Sequence, residues 1–131
     1  MARDDSMKLT AATLGRGVVR PRDYCLFVHD EAMVVPVYSD QDQSVVVWNL
    51  EPGQENTLHV HAANAHSIVV LQGSGVYLRG EDEEAAITAG DCIIVPRGTA
   101  HGIRNTGDGP LSYLAFTTAG EGGYVRGAVG S

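Results

Sequence analysis

The chain consists of short apolar runs separated by glycine, proline, asparagine and aspartate. The runs have the length of β-strands and lack the spacing of an amphipathic helix. The clearest ones are YCLFV (24–28), MVVPVY (33–38), SVVVWNL (44–50), VYLR (76–79) and LSYLAFTT (111–118). Pro36 confines its run to a sheet edge, a strand end or a bulge. This pattern predicts an all-β protein, an antiparallel barrel or jelly roll.

Four of the five histidines lie in two stretches of this pattern. His59 and His61 are separated by one residue, so in a strand both side chains project from the same face, about 6–7 Å apart. His66 follows a small polar turn and opens the next apolar run. His101 follows a strand that Pro96 interrupts. These side chains are candidates for one metal site, because neutral imidazoles are good ligands for divalent transition metals.

The two stretches resemble the two signature motifs of the cupin superfamily. The residues that match the first motif are Gly53, His59, His61 and Gly73, with His66 where a glutamate would stand. The residues that match the second motif are Gly90, Pro96, Gly98, His101 and Asn105. The resemblance covers residues 43–118. It implies a small, single-domain, metal-binding cupin: an antiparallel β-barrel, or double-stranded β-helix, that holds one divalent transition metal per chain, whether Fe, Mn, Zn, Ni or Cu.

The departure at His66 has a chemical consequence. The cupin pattern surrounds the ion with three histidines and one carboxylate, whereas all four candidates here are neutral. A four-histidine site keeps the full charge of the ion and so favours anionic ligands such as an enolate, a carboxylate or hydroxide. In the alternative, His66 merely begins a strand and the other three histidines hold the ion.

Length and charge limit the partners that we expect. The 131 residues suffice for one compact domain. A net charge of −7 argues against nucleic acid as a partner. The N-terminal residues show neither a secretory signal nor a long apolar segment, so we expect no membrane partner and a cytoplasmic protein. The expected partner is a small-molecule ligand or substrate.

We divide the chain into three segments. Residues 1–22 form an irregular N-terminal arm, residues 23–118 a single cupin barrel and residues 119–131 a glycine-rich C-terminal tail. The arm and the β-rich segments after it are suited to pairing with a second subunit, so we expect a homodimer.

The region around Cys92 gives two further expectations. Cys25 and Cys92 lie far apart and form no CxxC unit, so we expect reduced thiols. The unbroken apolar run IIVP (93–96) predicts a strand buried on both faces, with Cys92 in the core.

Three functions are compatible with the resemblance, because cupins host varied chemistry on one barrel. The first is a metal-dependent, dioxygenase-like enzyme acting on a small chelating enolate, diketone or phenolic substrate. The second is a non-redox Lewis-acid isomerase, cyclase or lyase, and the third is a non-catalytic small-molecule binding module. The second function needs an acid or base near the metal, and the candidates are Tyr77, Tyr113, Glu55 and Asn105.

Overall fold

The computed structural model describes residues 17–119. A short 3-10 helix, η1, spans Pro21–Tyr24. The strands that follow are β1 (Met33–Ser39), β2 (Gln43–Leu50), β3 (Glu55–Val60), β4 (His66–Gln72), β5 (Ser74–Gly80), β6 (Glu83–Thr88), β7 (Cys92–Val95), β8 (Ala100–Arg104) and β9 (Leu111–Thr118).

The strands form two antiparallel sheets. One has the order β1-β2-β9-β4-β7 and the other the order β3-β8-β5-β6. Because side chains alternate along a strand, one face of each sheet points inward. The inward residues pack into one core, in which Leu50, Ile103 and Leu111 are fully buried. The predicted all-β double-stranded β-helix is confirmed.

Most of the predicted strands are present. The runs 33–38, 44–50, 76–79 and 111–118 fall within β1, β2, β5 and β9. Pro36 lies on β1, an edge strand of the five-stranded sheet, and the register shifts between Pro36 and Tyr38. Proline has no N–H to donate to the ladder. It is tolerated there because an edge strand has one side without a neighbouring strand.

The strand predicted over 24–28 is wrong. Pro21 begins the 3-10 helix, and residues 25–28 join neither sheet. Tyr24 and Cys25 pack on the outer face of the five-stranded sheet, against a cluster that includes Val45 and Val47. The first two residues of this run therefore pack on a sheet without belonging to one, and Leu26 and Val28 are exposed.

The prediction of a fully buried strand over 93–96 is also wrong. In β7, Ile93 and Val95 face the core, but Ile94 is 65% exposed and Cys92 is exposed. The reason is that β7 is an edge strand whose outer face carries no layer of other described elements. Both cysteines are unbonded.

Two of the predicted segments cannot be compared with the structure in full. The arm 1–22 is described only from residue 17, and the tail 119–131 lies outside the described residues apart from Ala119. Within residues 17–119, no helix has the length and apolar character needed to cross a membrane.

The two motifs meet through backbone contacts near their ends. The N–H of Gly53 donates to the carbonyl of Asn105 at 2.9 Å, and the N–H of Asn105 donates to the carbonyl of Gln54 at 2.9 Å. Gly73 has a φ of 85°, and a Cβ there would lie 2.1 Å from the carbonyl oxygen of Pro110. A glycine is therefore required at position 73 for two reasons, its left-handed backbone and the close approach of a neighbouring chain segment.

Candidate metal centre

The strand ladder between β3 and β8 places two histidines side by side on one sheet. His59 pairs directly with His101, and their ring centroids are 4.3 Å apart. Both side chains line a cavity between the two sheets. Long-range pairing therefore brings together two side chains that are 42 residues apart in the sequence.

His61 follows the last residue of β3 and is held by the turn before β8. Its carbonyl accepts the N–H of Gly98 at 2.9 Å, and its side chain is buried. The candidate ligand atoms of His59, His61 and His101 all lie within 4.8 Å of one another. Three imidazole nitrogens at this separation can converge on one ion.

His66 reaches the same place from the other sheet. It is the first residue of β4, and its ring centroid lies 4.6 Å from that of His61 and 4.8 Å from that of His101. Its Nδ1 is hydrogen-bonded to the hydroxyl of Thr117 on β9 at 2.9 Å. We refer to His59, His61, His66 and His101 as the histidine cluster.

Backbone carbonyls determine which nitrogen of two cluster members is available. Nδ1 of His59 contacts the carbonyl oxygen of Thr57, and Nδ1 of His101 contacts that of Thr99 at 3.1 Å. A carbonyl can only accept, so each Nδ1 carries the proton and each Nε2 presents a lone pair. A hydrogen bond of this kind orients a metal-ligating histidine and selects its tautomer.

Three members of the cluster, His59, His66 and His101, are held in the neutral form that a ligand requires. Burial, followed by the neighbouring histidines, lowers the pKa of His66 to about 3. Burial likewise lowers the pKa of His101 to about 4, against the opposing hydrogen bond to Thr99. The pKa of His59 is lowered for the same principal reason. Protons therefore compete weakly for these nitrogens at neutral pH.

The cavity beside the cluster is small and mostly apolar, with a volume of about 20 Å³. Its apolar wall consists of Val46, Trp48, Ile68, Ile103 and Ala115, and its polar groups besides the histidines are Asn56, Tyr113 and Thr117. Such a volume accommodates roughly one or two water-sized groups. Only a small part of a ligand can therefore enter beside an ion.

Of the four acid–base candidates, Tyr113 lines the cavity. Its hydroxyl accepts a hydrogen bond from Nδ2 of Asn56 at 3.1 Å, and its ring stacks on Trp48. Complete burial raises the pKa of Tyr113 well above its ordinary value. Its hydroxyl is thus a proton-bearing donor at neutral pH and a poor base.

The other three candidates do not line the cavity. Tyr77 packs in the core between the four-stranded and the five-stranded sheet. Glu55 is 3.9 Å from Nε of Arg104 in a partly exposed ion pair. The amide of Asn105 is satisfied by the backbone of the adjacent turn, since Nδ2 donates to the carbonyls of Leu50 and Gly109 and Oδ1 accepts the N–H of Gly107. The position of Asn105 gives it a structural role.

Asn56 is a cavity residue that the sequence did not identify. Residues three apart on a regular strand face opposite sides, yet Asn56 and His59 both line the cavity, because the register shifts between them. Gly102 faces this bulge, and a Cβ there would lie 2.9 Å from the carbonyl oxygen of Asn56 and 2.9 Å from the N of Leu58. The sequence carries no local signal of the bulge other than this glycine.

Unsatisfied polar atoms test whether these residues fit a metal. Among residues 17–119, Nε2 of His59 and Nε2 of His66 are buried without a hydrogen-bond partner. Leaving a buried polar atom unpaired costs about 1–3 kcal/mol, so such atoms call for an explanation. A divalent first-row ion at the histidine cluster would provide it, and imidazole nitrogen suits Fe, Mn, Ni, Cu and Zn. The residues therefore fit a metal.

Comparison with known proteins agrees with the geometry. An uncharacterized protein of Acanthamoeba polyphaga mimivirus is 28% identical over 102 residues, which is 72% of this chain and 62% of that protein. The chain thus spans less than two thirds of this relative's length. A protein of Klebsiella pneumoniae with a double-stranded β-helix domain has a TM-score of 0.74 and 29% identity, covering 79% of this chain and 90% of that one.

A more distant solved structure is a sugar phosphate isomerase from a cupin superfamily of Silicibacter pomeroyi. It has a TM-score of 0.54 and 29% identity, covering 59% of this chain and 50% of that chain. The family model for the cupin domain matches residues 46–117, more than half of the sequence and the region that holds the whole histidine cluster. With both motifs and both sheets in place, this chain belongs to the cupin family.

Proposed function

We propose that this cupin is a metal-dependent enzyme of dioxygenase-like type, with one divalent transition metal held by His59, His61, His66 and His101. The substrate is a small chelating molecule that presents enolate, diketone or phenolic oxygens. A metal bound there would supply Lewis acidity and, in the case of Fe, Mn or Cu, redox chemistry with dioxygen. The chain's own residues orient the imidazoles, exclude bulk water and limit the size of the ligand.

The observation that carries this proposal is the composition of the cavity wall. Among residues 17–119, the wall contains three members of the histidine cluster (His59, His66 and His101), apolar side chains and three neutral polar groups, but no carboxylate. Enolisation or proton relay in an isomerase needs a base with a matched pKa. Oxidation of a substrate that already binds as an anion does not. An uncharged, largely apolar wall therefore favours the oxygen-dependent chemistry.

The second candidate is Lewis-acid isomerisation, and two observations favour it. The Silicibacter pomeroyi structure bears the name of a sugar phosphate isomerase. In addition, His66 lies outside the three-histidine group whose ligand atoms are within 4.8 Å of one another, so its unpartnered Nε2 could serve as a base. A pKa lowered to about 3 makes His66 a weak proton acceptor, which places this candidate second.

Metal substitution separates these functions. The full chain is loaded in turn with Fe(II), Mn(II) and Zn(II), and each form is assayed for oxygen uptake and for proton exchange alpha to a carbonyl with a panel of diketones and sugars. We expect oxygen uptake with Fe or Mn and none with Zn, because Zn(II) has no redox chemistry.

Each alternative has its own signature in this experiment. Exchange that also proceeds with Zn would replace the proposal with the isomerase. Tight binding of a chelating ligand with neither activity would replace it with the binding module. A wild-type protein that takes up none of the metals would remove the metal-dependent proposal altogether. The matched control is His29→Ala, which alters an exposed histidine that does not line the cavity.

A further inference from the structure

We propose that Tyr113 and Asn56 form a unit that recognises an oxygen atom of the ligand at the histidine cluster: the Tyr113 hydroxyl donates the hydrogen bond, and Asn56 orients that hydroxyl. The inference rests on the proposed function, because the ligand in question is the oxygen-bearing chelate of the metal. Tyr113 and Asn56 thus make the site prefer ligands that bind through oxygen over ligands that bind through nitrogen.

The placement of the two side chains follows from strand pairing. Asn56 pairs with Ile103, and His59 pairs with His101, so Asn56 occupies the adjacent level of the same ladder. The bulge in β3 turns Asn56 into the cavity that the cluster lines. Tyr113 enters from the opposite sheet, on β9, and meets Asn56 across the cavity. The pair therefore bridges the two sheets beside the site.

The direction of the hydrogen bond determines what the pair offers. Nδ2 of Asn56 donates to the Tyr113 hydroxyl at 3.1 Å, so this contact uses a lone pair of the phenol oxygen and not its proton. Among residues 17–119, Asn56 is the hydrogen-bond partner that the structure gives this hydroxyl. The ring cannot turn away, because it is buried and stacked on Trp48. The hydroxyl proton is left for a group inside the cavity.

The chemistry of the pair identifies the ligand class. A buried hydroxyl proton without an acceptor is unfavourable, and a ligand oxygen relieves this cost. Burial keeps Tyr113 protonated, so it can donate to a carbonyl, carboxylate or enolate oxygen without gaining or losing charge. A ligand atom that has no lone pair to offer leaves the hydroxyl unsatisfied. Sites of this kind discriminate strongly against analogues that lack the hydrogen-bonding group.

Binding of two probes to the zinc-loaded full chain tests the inference. Acetohydroxamate is a small chelating anion with two oxygens, whereas imidazole binds a metal through nitrogen and has no acceptor left once bound. Tyr113→Phe removes the hydroxyl and keeps the ring on Trp48. We expect acetohydroxamate to bind about tenfold or more weakly to this variant, and imidazole to change by no more than about twofold. Zinc content is measured first and is expected to be unchanged.

Asn56→Asp tests the orienting role separately. A carboxylate cannot donate a hydrogen bond, so it would accept one from the Tyr113 hydroxyl. The hydroxyl proton would then point at the introduced carboxylate and not into the cavity. We expect weaker binding of acetohydroxamate by Asn56→Asp, and a smaller loss when the same change is made in the Tyr113→Phe background, where only the added charge acts. The difference between the two backgrounds measures the orienting effect.

Several results would overturn the inference. With full zinc content, unchanged affinity for acetohydroxamate in Tyr113→Phe would exclude the donor, and equal weakening of both probes would indicate a general structural effect. Equal losses from Asn56→Asp in the two backgrounds would exclude the orienting role. If Tyr113→Phe does not fold, Asn56→Asp in the wild-type background decides, and unchanged affinity for acetohydroxamate would then overturn the inference. A wild type that takes up no zinc would instead overturn the proposed function, and this inference with it.

Discussion

His59 and His101 lie opposite each other in the β3–β8 ladder, and each holds its Nδ1 against the carbonyl of the threonine two residues earlier. The two neighbouring strands thus use the same local hydrogen bond to orient a histidine on the same face of their sheet. Because the acceptor is a backbone carbonyl, the threonine side chain is not needed for it. The result is a pair of Nε2 lone pairs, in a group of three histidines whose candidate ligand atoms lie within 4.8 Å of one another.

This relationship predicts which substitutions remove the metal. We expect the wild type to carry about one divalent ion per chain, and His59→Ala and His101→Ala each to lower metal affinity by at least about tenfold, since each removes a ligand. Thr57→Ala and Thr99→Ala keep the carbonyls and are expected to retain the metal. Elemental analysis after dialysis against a weak chelator measures the outcome. Equal metal in all four variants would contradict the assignment.

His66→Glu restores the carboxylate of the general cupin pattern. We expect this variant to keep its metal, to preserve or raise oxygen uptake with Fe(II), and to lower any Zn-supported proton exchange, because an anionic ligand eases oxidation of the ion and opposes anionic charge in a transition state. The matched control is His66→Gln, a neutral side chain of similar length. Oxygen uptake that disappears from His66→Glu while iron remains bound would argue against the proposed function.

The stability of the metal-free protein should fall in mild acid. His66 and His101 have pKa values lowered to about 3 and about 4 in the folded state, whereas an unfolded histidine titrates near 6.5. Between about pH 6.5 and pH 4 the unfolded chain therefore binds more protons than the folded chain, so the free energy of unfolding decreases as the pH decreases. Above about pH 6.5 these two groups contribute no pH dependence.

Thermal unfolding in the presence of a chelator checks this sign. We expect Tm to be lower at pH 4.5 than at pH 7.5 by at least about 5 °C, the effect of roughly 1 kcal/mol in a domain of this size. In His66→Gln one of the two groups is absent, so its Tm should depend less steeply on pH. An identical slope in wild type and variant would show that other groups control the acid sensitivity.

Two motif glycines separate the contribution of close packing to stability from the contribution of backbone conformation. Gly53 and Gly73 have φ values of 88° and 85°, but a Cβ at Gly53 would meet nothing within 4 Å, whereas one at Gly73 would collide with the backbone of Pro110. Gly53→Ala should cost about 1–2 kcal/mol, the penalty of a left-handed conformation. Gly73→Ala should cost several kcal/mol, or prevent folding. Urea unfolding measures the difference, and equal costs would contradict the close approach.

We also predict a homodimer. On the outer face of the five-stranded sheet, Phe116 and Ile94 both neighbour Ser67 in the ladders, and they are 36% and 65% exposed. Exposed apolar side chains on the two strands that flank β4 are suited to contact with a second copy. Light scattering at micromolar concentration should give twice the mass of one chain, and Ile94→Glu should lower it. Val60→Glu, which changes an exposed valine of the other sheet, is the control. A one-chain mass for the wild type would reject the dimer.

Local spacing was enough to predict much of the fold and part of the site. The start of β4 at His66 follows from the small polar turn before it, and the strands over 33–38 and 44–50 follow from short apolar runs bounded by turn residues. The strand over 111–118 follows from the two-residue alternation of a pleated chain. The same spacing separates His59 from His61. These features are decided within a few residues of chain, so the sequence expresses them directly.

Other features of the fold and the site were decided only by the tertiary structure, because they depend on residues that are remote in sequence. The pairing of His59 with His101, the exposure of Ile94 on an edge strand and the burial of Tyr113 against Trp48 are all set by the order of strands in the sheets. The cavity position of Asn56 depends on one bulge. A register shift of a single residue moves a side chain from one face of a sheet to the other, and that shift is chosen by the packing of the whole barrel and not by the strand itself.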